Sequence, residues 1–401
     1  MSQIRPLVDT DVLQASGAEF KGVEMGSRTR FYRPELDVVR FIAFFLVFLH
    51  HTLPSSHDPR IEALAGRFSS LIYSVGQACG FGLTLFFVLS AYLICELLLR
   101  ERDSKGTIDV KAFYLRRILR IWPLYFFGLS IGCIFALAPG GHREDLVALG
   151  WFAVLIGNWY RVLIGTPSNP MEPLWSISVE EQFYLFAPWV IKYFTRTALY
   201  VFCLVLIVIS NIWLLVLGGM RLSDSAAWAN SFVQFEAFAA GMLLCLALRS
   251  RSVTIVGWRR GALICAGLLA WFIAIYTFQI RPVRYLSNVG GLSLVCGYAL
   301  ASIGCICILT GFIGISKTVL PRWAIWLGSV SYGLYVFHEV AIRLAGAIFG
   351  HLSHFSGPAV ALKGIVAVGL NVLLAALSYR YLEAPFLRLK KRLEVVESRP
   401  V

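Results

Sequence analysis

The chain has 401 residues, 58% of them hydrophobic and 15% charged, with a mean hydropathy of +0.72. Soluble globular chains carry about a quarter charged residues, so this composition excludes an ordinary soluble domain and predicts an all-α, polytopic membrane protein. The net charge of +13 does not mark a nucleic-acid partner, because Lys and Arg gather in short loops between apolar runs, as the positive-inside rule requires.

In chain order, residues 1–30 are polar and lack an apolar signal core, which predicts a disordered cytoplasmic tail, with Met25 as an alternative start. Residues 31–390 then form one integral-membrane domain, without a polar insertion of domain size, and 391–401 a second cytoplasmic tail. Apolar runs at 36–53, 71–99, 118–138, 174–194, 197–218, 228–248, 258–279, 288–312, 323–346 and 359–383 are expected to cross. A further stretch, 147–164, is broken by Gly157, Asn158 and Arg161 and is expected to lie in-plane or re-enter. Basic clusters before the first run, after the second, at 249–260 and at the end assign both termini to the cytoplasm. That requires an even number of spans, about ten, in the inner (plasma) membrane. Segments 139–173 and 347–358 then fall outside and are candidates for acceptor choice. The nine cysteines sit mostly in apolar runs without a C-x-x-C pair, which predicts reduced, buried thiols.

The first run, "LDVVRFIAFFLVFLHH" (36–51), begins with an ion pair and ends in imidazoles. Arg40 and His51 are 11 residues apart, which at 100° per residue places them on one helix face, about 16 Å apart along the axis. Asp37 shares that face and is spaced to pair with Arg40. His50 points about 80° away, so the helix geometry selects His51. An imidazole this deep in a span needs a cavity or a polar partner.

Further along, Ser90 is a polar handle in the second run, where helix packing is an alternative use. "FYLRRILRIWPLYFF" (113–127) sets Arg116, Arg117 and Arg120 at a cytoplasmic helix end, with Tyr125 beyond Pro123. Arg116 and Arg120, one turn apart, are spaced to clamp a phosphate, although topology alone also puts basic residues there. "PLWSISVEEQFYLFAPW" (173–189) holds Glu180 and Glu181 in an aromatic helix beside Trp175 and Ser178. Adjacent side chains diverge by about 100°, so one glutamate at most faces a given site. "LGSVSYGLYVFHEVAIRL" (327–344) aligns Ser331 and Tyr335 with His338 or Glu339, while Glu339 and Arg343 have the spacing of an internal ion pair. There is no Ser-x-x-Lys, G-x-S-x-G, P-loop or metal-spaced His/Cys cluster, so no metal is expected.

Together these motifs resemble those of the bacterial acyltransferase-3 membrane proteins. "DVVRFIAFFLVFLHH" is similar to the family's Arg–ten residues–His signature, and "GFGLTLFFVLSAYLI" to its "GVDLFFVLSGYLI". "LRRILRIWPLY", "LWSISVEEQFYL" and "LGSVSYGLYVFH" match "RRxxRIxPxY", "WSLSVEEQFYL" and "SYxLYLxH", in order, from residue 31 to about 390. Thr84 and Ala91 stand where the family usually has Asp and Gly. The resemblance implies transfer of an acyl group, often acetyl from acyl-CoA, to hydroxyls of envelope polysaccharides, peptidoglycan or small molecules. It implies that His51 is the essential histidine, Arg40 its partner, Arg117 and Arg120 contributors to donor binding, and Glu180 or Glu181 the family's acidic helix residue.

The expectation is therefore that neutral His51 takes a proton from an acceptor hydroxyl, while acyl-CoA phosphates rest on Arg116, Arg117 and Arg120, with Tyr125 alongside. Trp175, Ser178, Ser90, Tyr335 and His338 are expected to line the substrate path. Acyl-CoA enters as donor substrate, with no permanently bound cofactor; the other partners are membrane lipid and a carbohydrate or other hydroxyl-bearing acceptor. A covalent acyl-histidine relay is a variant of this chemistry. A natural-product acylase is an alternative, and a transporter that carries a glycan without chemistry is another, since transporters also bury His and Glu.

Overall fold

The computed structural model describes residues 31–53, 66–220, 224–249, 255–280, 289–349, 357–394 and 396. The predicted tail at 1–30 and most of the 347–358 segment lie outside these residues. All regular structure among them is helical. The helices are α1 Pro34–Thr52, α2 Ser69–Ala78, α3 Gly82–Lys105, α4 Val110–Leu137, α5 Asp145–Ala153, α6 Gly157–Leu163, α7 Trp175–Tyr193 and α8 Arg196–Met220. They continue with α9 Asp224–Trp228, α10 Ser231–Leu248, α11 Gly257–Tyr276, α12 Gly291–Phe312, α13 Arg322–Ser329, α14 Ser331–Phe349, α15 Gly357–Ser378 and α16 Ala384–Lys391.

Among the described residues, seven helical stretches are long and apolar enough to cross a membrane: Ser69–Lys105, Val110–Leu137, Arg196–Met220, Ser231–Leu248, Gly257–Tyr276, Gly291–Phe312 and Ala361–Lys391. Three other expected spans correspond to α1, α7 and α14, each 19 residues long. Their polar side chains dilute their apolar character: Asp37, Arg40 and His51 on α1, Glu180 and Glu181 on α7, His338 and Glu339 on α14. Each of these three helices brings side chains to the candidate site.

One expectation for local structure needs adjustment, and one gains detail. The run 323–346 is not one helix: it breaks at Val330 into α13 and α14. The stretch 147–164 forms two short helices, neither long enough to span, hinged where Leu155 takes a left-handed φ of 61°. A leucine is unfavourable there, and its carbonyl is held by the Gln182 side-chain amide at 3.2 Å.

Helix α3 is central, in contact with α1, α7, α10 and α12. Helix α8 turns a lipid-facing stripe outward, including Val201, Leu204, Val208, Ile212 and Leu215. Helix α1 is gripped on two sides by glycines that have no room for a side chain. A Cβ on Gly82 would lie 2.5 Å from the Ala43 carbonyl oxygen, and one on Gly328 would lie 1.8 Å from that of Asp37. Close backbone approach of this kind is how helices pack without a hydrophobic drive from lipid, and it fixes the face that α1 turns inward.

Candidate active site

The inward face of α1 borders two cavities. The first, about 160 Å³, is lined by Arg40 and Asp37 of α1, Ser90 of α3, Arg117 and Arg120 of α4, Glu180 and Tyr184 of α7, Tyr332 and Tyr335 of α14, and Lys390 of α16. The second, about 280 Å³, is lined by His50 and His51, by Arg161, Glu172 and Trp175, and by Trp228 and Tyr335. Leu83 and Tyr335 border both. The Tyr335 hydroxyl is fixed 2.6 Å from Ser176 Oγ and 2.7 Å from the Pro173 carbonyl. A basic chamber and a histidine chamber thus meet at a wall one tyrosine and one leucine thick.

In the basic chamber, Arg40 donates to Asp37 at 2.6 Å, the pair expected from their spacing. Glu180 accepts from the hydroxyls of Ser90 and Tyr184, which lie 2.7 Å from each other. Glu181 turns away, with Trp122 Nε1 at 3.5 Å and its Oε1 buried without a partner, so the divergence argument selects Glu180. Lys390 is paired with Glu394 at 2.8 Å. Arg117 stacks on the rings of Phe113 and Tyr184, 5.6 Å from each centroid, and its Nε is buried without a hydrogen-bond partner. Among the described residues, no carboxylate lies within ion-pair distance of Arg117 or Arg120. Guanidinium groups that line a cavity with no carboxylate of their own in ion-pair reach are a site for an anion supplied from outside.

Three expected site residues stand elsewhere. Arg116 is buried, donating to Glu101 at 2.8 Å and to the Leu393 carbonyl at 3.0 Å. It is absent from the basic chamber, so the Arg116–Arg120 clamp is corrected: helical spacing aligned the two, but Glu101 on α3 captures the first. Arg116→Ala should leave a buried carboxylate unpaired and destabilise the protein by about 3–5 kcal/mol. Thermal unfolding in detergent would register this loss, while the Michaelis constant for an anionic donor stays near that of the wild type. Tyr125 is fully buried and donates to the Phe152 carbonyl at 2.7 Å, anchoring α5 rather than facing a cavity. Ser178 accepts from the Gly157 amide at 3.2 Å, satisfying a free donor at the start of α6.

In the histidine chamber, His51 Nδ1 lies 2.8 Å from the Val47 carbonyl. A carbonyl only accepts, so Nδ1 carries the hydrogen and Nε2 keeps its lone pair. His50 is bonded instead to the Gly76 carbonyl at 3.0 Å. The His338 ring packs against that of His51, centroids 4.9 Å apart at 73°, with its own Nδ1 2.6 Å from the Tyr335 carbonyl. Its Nε2 is buried without a partner. His51, His338 and Glu339 each bring one ligand-capable atom within 4.8 Å of the other two, so among the described residues these are the group that could hold a cation. The expected Glu339–Arg343 pair is loose, at 3.9 Å, and Arg343 donates to the Ser168 carbonyl at 2.6 Å.

The far wall of this chamber was not legible as a site. Arg161, which interrupts the 147–164 run, is buried, paired with Glu172 and stacked 5.3 Å over Trp175. Burial pushes the Glu172 carboxyl up, opposed by the neighbouring Arg161. Arg161 in a chain stretch otherwise fit for lipid was the available signal. Its partner, eleven residues on and past the α6 helix end, was not predictable from helical spacing. Trp175, an expected substrate contact, does line this chamber, and Ser90 lines the other.

The family profile described as an acyltransferase domain matches residues 33–380. The chain is 24% identical over 384 residues to "Peptidoglycan O-acetyltransferase OatA" of Listeria monocytogenes, covering 89% of this chain and 56% of that protein. It is 27% identical over 338 residues to "Putative peptidoglycan O-acetyltransferase YrhL" of Bacillus subtilis, covering 76% of this chain and 50% of that protein. The chain thus spans about half the length of these relatives. No solved structure matches it. The profile runs through α1, both chambers and the start of the π-helical turn at Tyr379–Glu383, and on that extent the chain belongs to the acyltransferase-3 family.

Proposed function

We propose that the protein is a membrane O-acyltransferase that moves an acyl group, acetyl by preference, from acyl-CoA to a hydroxyl of an envelope or exported polysaccharide. The carrying observation is the pair of chambers that meet at Tyr335 and Leu83, one with uncompensated arginines and the other with His51. The names of the relatives favour acetyl and an envelope polymer. In this reading residues 31–390 form the catalytic membrane domain, crossing the inner membrane ten times with both ends in the cytoplasm, so that the basic chamber opens to cytoplasmic acyl-CoA and the histidine chamber faces the acceptor.

The chemistry follows from the geometry. Arg117 and Arg120 hold the donor's phosphates, and the thioester threads past Tyr335. His51 Nε2 takes the proton of the acceptor hydroxyl, whose oxygen forms the new bond to the thioester carbonyl carbon. The carbon–sulfur bond then breaks, and the CoA thiolate recovers the proton from the imidazolium. Arg40 is held by Asp37 one face-length away on the same helix and adds positive charge to the donor side.

Purified protein in detergent, given acetyl-CoA and an envelope glycan fraction, should release free CoA faster than donor alone, with acetyl ester appearing on the glycan. A transporter has the same two-sided cavities but cleaves no thioester. Glycan uptake into proteoliposomes without CoA release would overturn the proposal. Release that follows a diffusible small-molecule hydroxyl instead of the glycan would move the acceptor class and keep the chemistry.

A further inference from the structure

A smaller cavity, of about 30 Å³, adjoins the basic chamber, and Arg117 and Lys390 border both. Glu394 borders the smaller cavity and not the chamber. Lys390 sits in the last turn of α16, and the chain beyond it curls back at once. The Leu393 amide donates to the Lys390 carbonyl at 3.0 Å, and the Glu394 amide to that of Lys391 at 3.3 Å. This turn sets the Glu394 carboxylate 2.8 Å from Lys390 Nζ, with both side chains buried. Val396 is buried as well, so the segment is seated on the protein. The part with freedom to move is the flexible four-carbon stem of the lysine.

Lys390 thus stands between two claims on its charge. On one side is a carboxylate of its own chain. On the other is the chamber, where Arg117 and Arg120 repel it and have no carboxylate in ion-pair reach. A buried ion pair gains little net free energy, because desolvating both groups offsets most of their attraction. A phosphate monoester brings about −1.5 to −2 charge at pH 7, and the two arginines can hold it at the same time. We infer that Lys390 is a third phosphate ligand of the donor site, and that Glu394 is an internal anion that occupies it until the donor arrives. The carboxylate competes with acyl-CoA and lowers its apparent affinity by the fraction of time that it holds the lysine. This inference rests on the acyl-CoA reading for the identity of the anion, but not for the exchange itself.

The test is calorimetric titration of the detergent-purified full chain with CoA and, separately, with inorganic pyrophosphate. It compares wild type, Glu394→Gln, Lys390→Gln and the double variant. A pair closed roughly nine-tenths of the time weakens apparent affinity about tenfold, so Glu394→Gln should bind CoA up to about tenfold more tightly than wild type. Lys390→Gln should bind it about three- to tenfold more weakly, having lost one charge-assisted contact. The gain from Glu394→Gln should vanish in the Lys390→Gln background, because the carboxylate acts through the lysine. Pyrophosphate should follow the same order. Glu394→Asp, one methylene shorter, should tighten binding by a smaller factor, and it takes the place of Glu394→Gln where that variant does not fold. Unchanged or weaker binding once the pair is loosened overturns the inference, as does a gain that persists undiminished without Lys390, the mark of a long-range charge effect. A purely structural pair would lower the melting temperature in both single variants and leave both affinities at the wild-type value, which also overturns it. So does the absence of binding of either probe by every variant. Pyrophosphate that keeps the order while CoA binds to none of them supports the exchange and removes the donor reading alone.

Discussion

Replacing His51 by alanine is expected to slow acyl transfer about 10²–10⁴-fold, the usual contribution of one general base, with little change in the Michaelis constant for acyl-CoA. The donor side explains the second part: the arginines proposed to hold the phosphates line a different cavity from His51. The side chain removed borders a cavity of about 280 Å³, so free imidazole in the buffer has space to enter and should restore part of the rate to His51→Ala. His50→Gln is the control. Its ring bonds the Gly76 carbonyl at 3.0 Å, a contact that an amide can also make, so the variant should keep the wild-type order of magnitude. Equal turnover by His51→Ala and wild type would remove the base from the mechanism. A rate lost equally in both variants would show that packing at this end of α1 matters and the specific imidazole does not. The readout is single-turnover formation of acetylated glycan alongside CoA release, so that hydrolysis of the donor is not mistaken for transfer.

The sequence carried the part of this site that lies within single helices. Rotation at 100° per residue is a property of the backbone alone, so it paired Asp37 with Arg40 and allowed only one of Glu180 and Glu181 to face the basic chamber, whereas His50, which it turned away, lines the same cavity as His51. The same rule failed where the outcome depends on which neighbour a face meets. Arg116 and Arg120 share a face by spacing, yet Glu101 and the Leu393 carbonyl take up Arg116. Tyr125 and Ser178 look like polar lining residues, but backbone groups of the broken 147–164 stretch claim both. Tyr335 could be assigned a face of its helix. That it borders both cavities follows only from the meeting of α14 with the 3-10 turn Glu172–Leu174 and α3. The break at Val330 follows Gly328 by two residues, and that the chain turns there depends on Gly328 being pressed against the Asp37 carbonyl. Each of these is a long-range event, invisible to local periodicity.

That contrast between neighbours gives the arginines of the basic chamber their own experimental signature. Arg116 is a satisfied cation, and Arg117 and Arg120 have no carboxylate within ion-pair distance among the described residues. Partly desolvated guanidinium groups without an ion-pair partner cost the unliganded protein free energy. Arg117→Gln and Arg120→Gln should therefore leave the ligand-free melting temperature unchanged or raise it. Each should also increase the Michaelis constant for acyl-CoA about ten- to a hundredfold, the value of a charge-assisted contact to phosphate. Donor-induced stabilisation sharpens the test. Acyl-CoA at a hundred times its wild-type dissociation constant stabilises the wild type by about 2.7 kcal/mol, and a hundredfold weaker variant by only about 0.4 kcal/mol. A structural arginine behaves in the opposite way, losing stability while its donor affinity is kept, as expected for Arg116→Ala. If Arg117→Gln and Arg120→Gln both lower the melting temperature and leave the donor constant unchanged, the basic chamber is not the donor site, and the acyl group must reach His51 by another route.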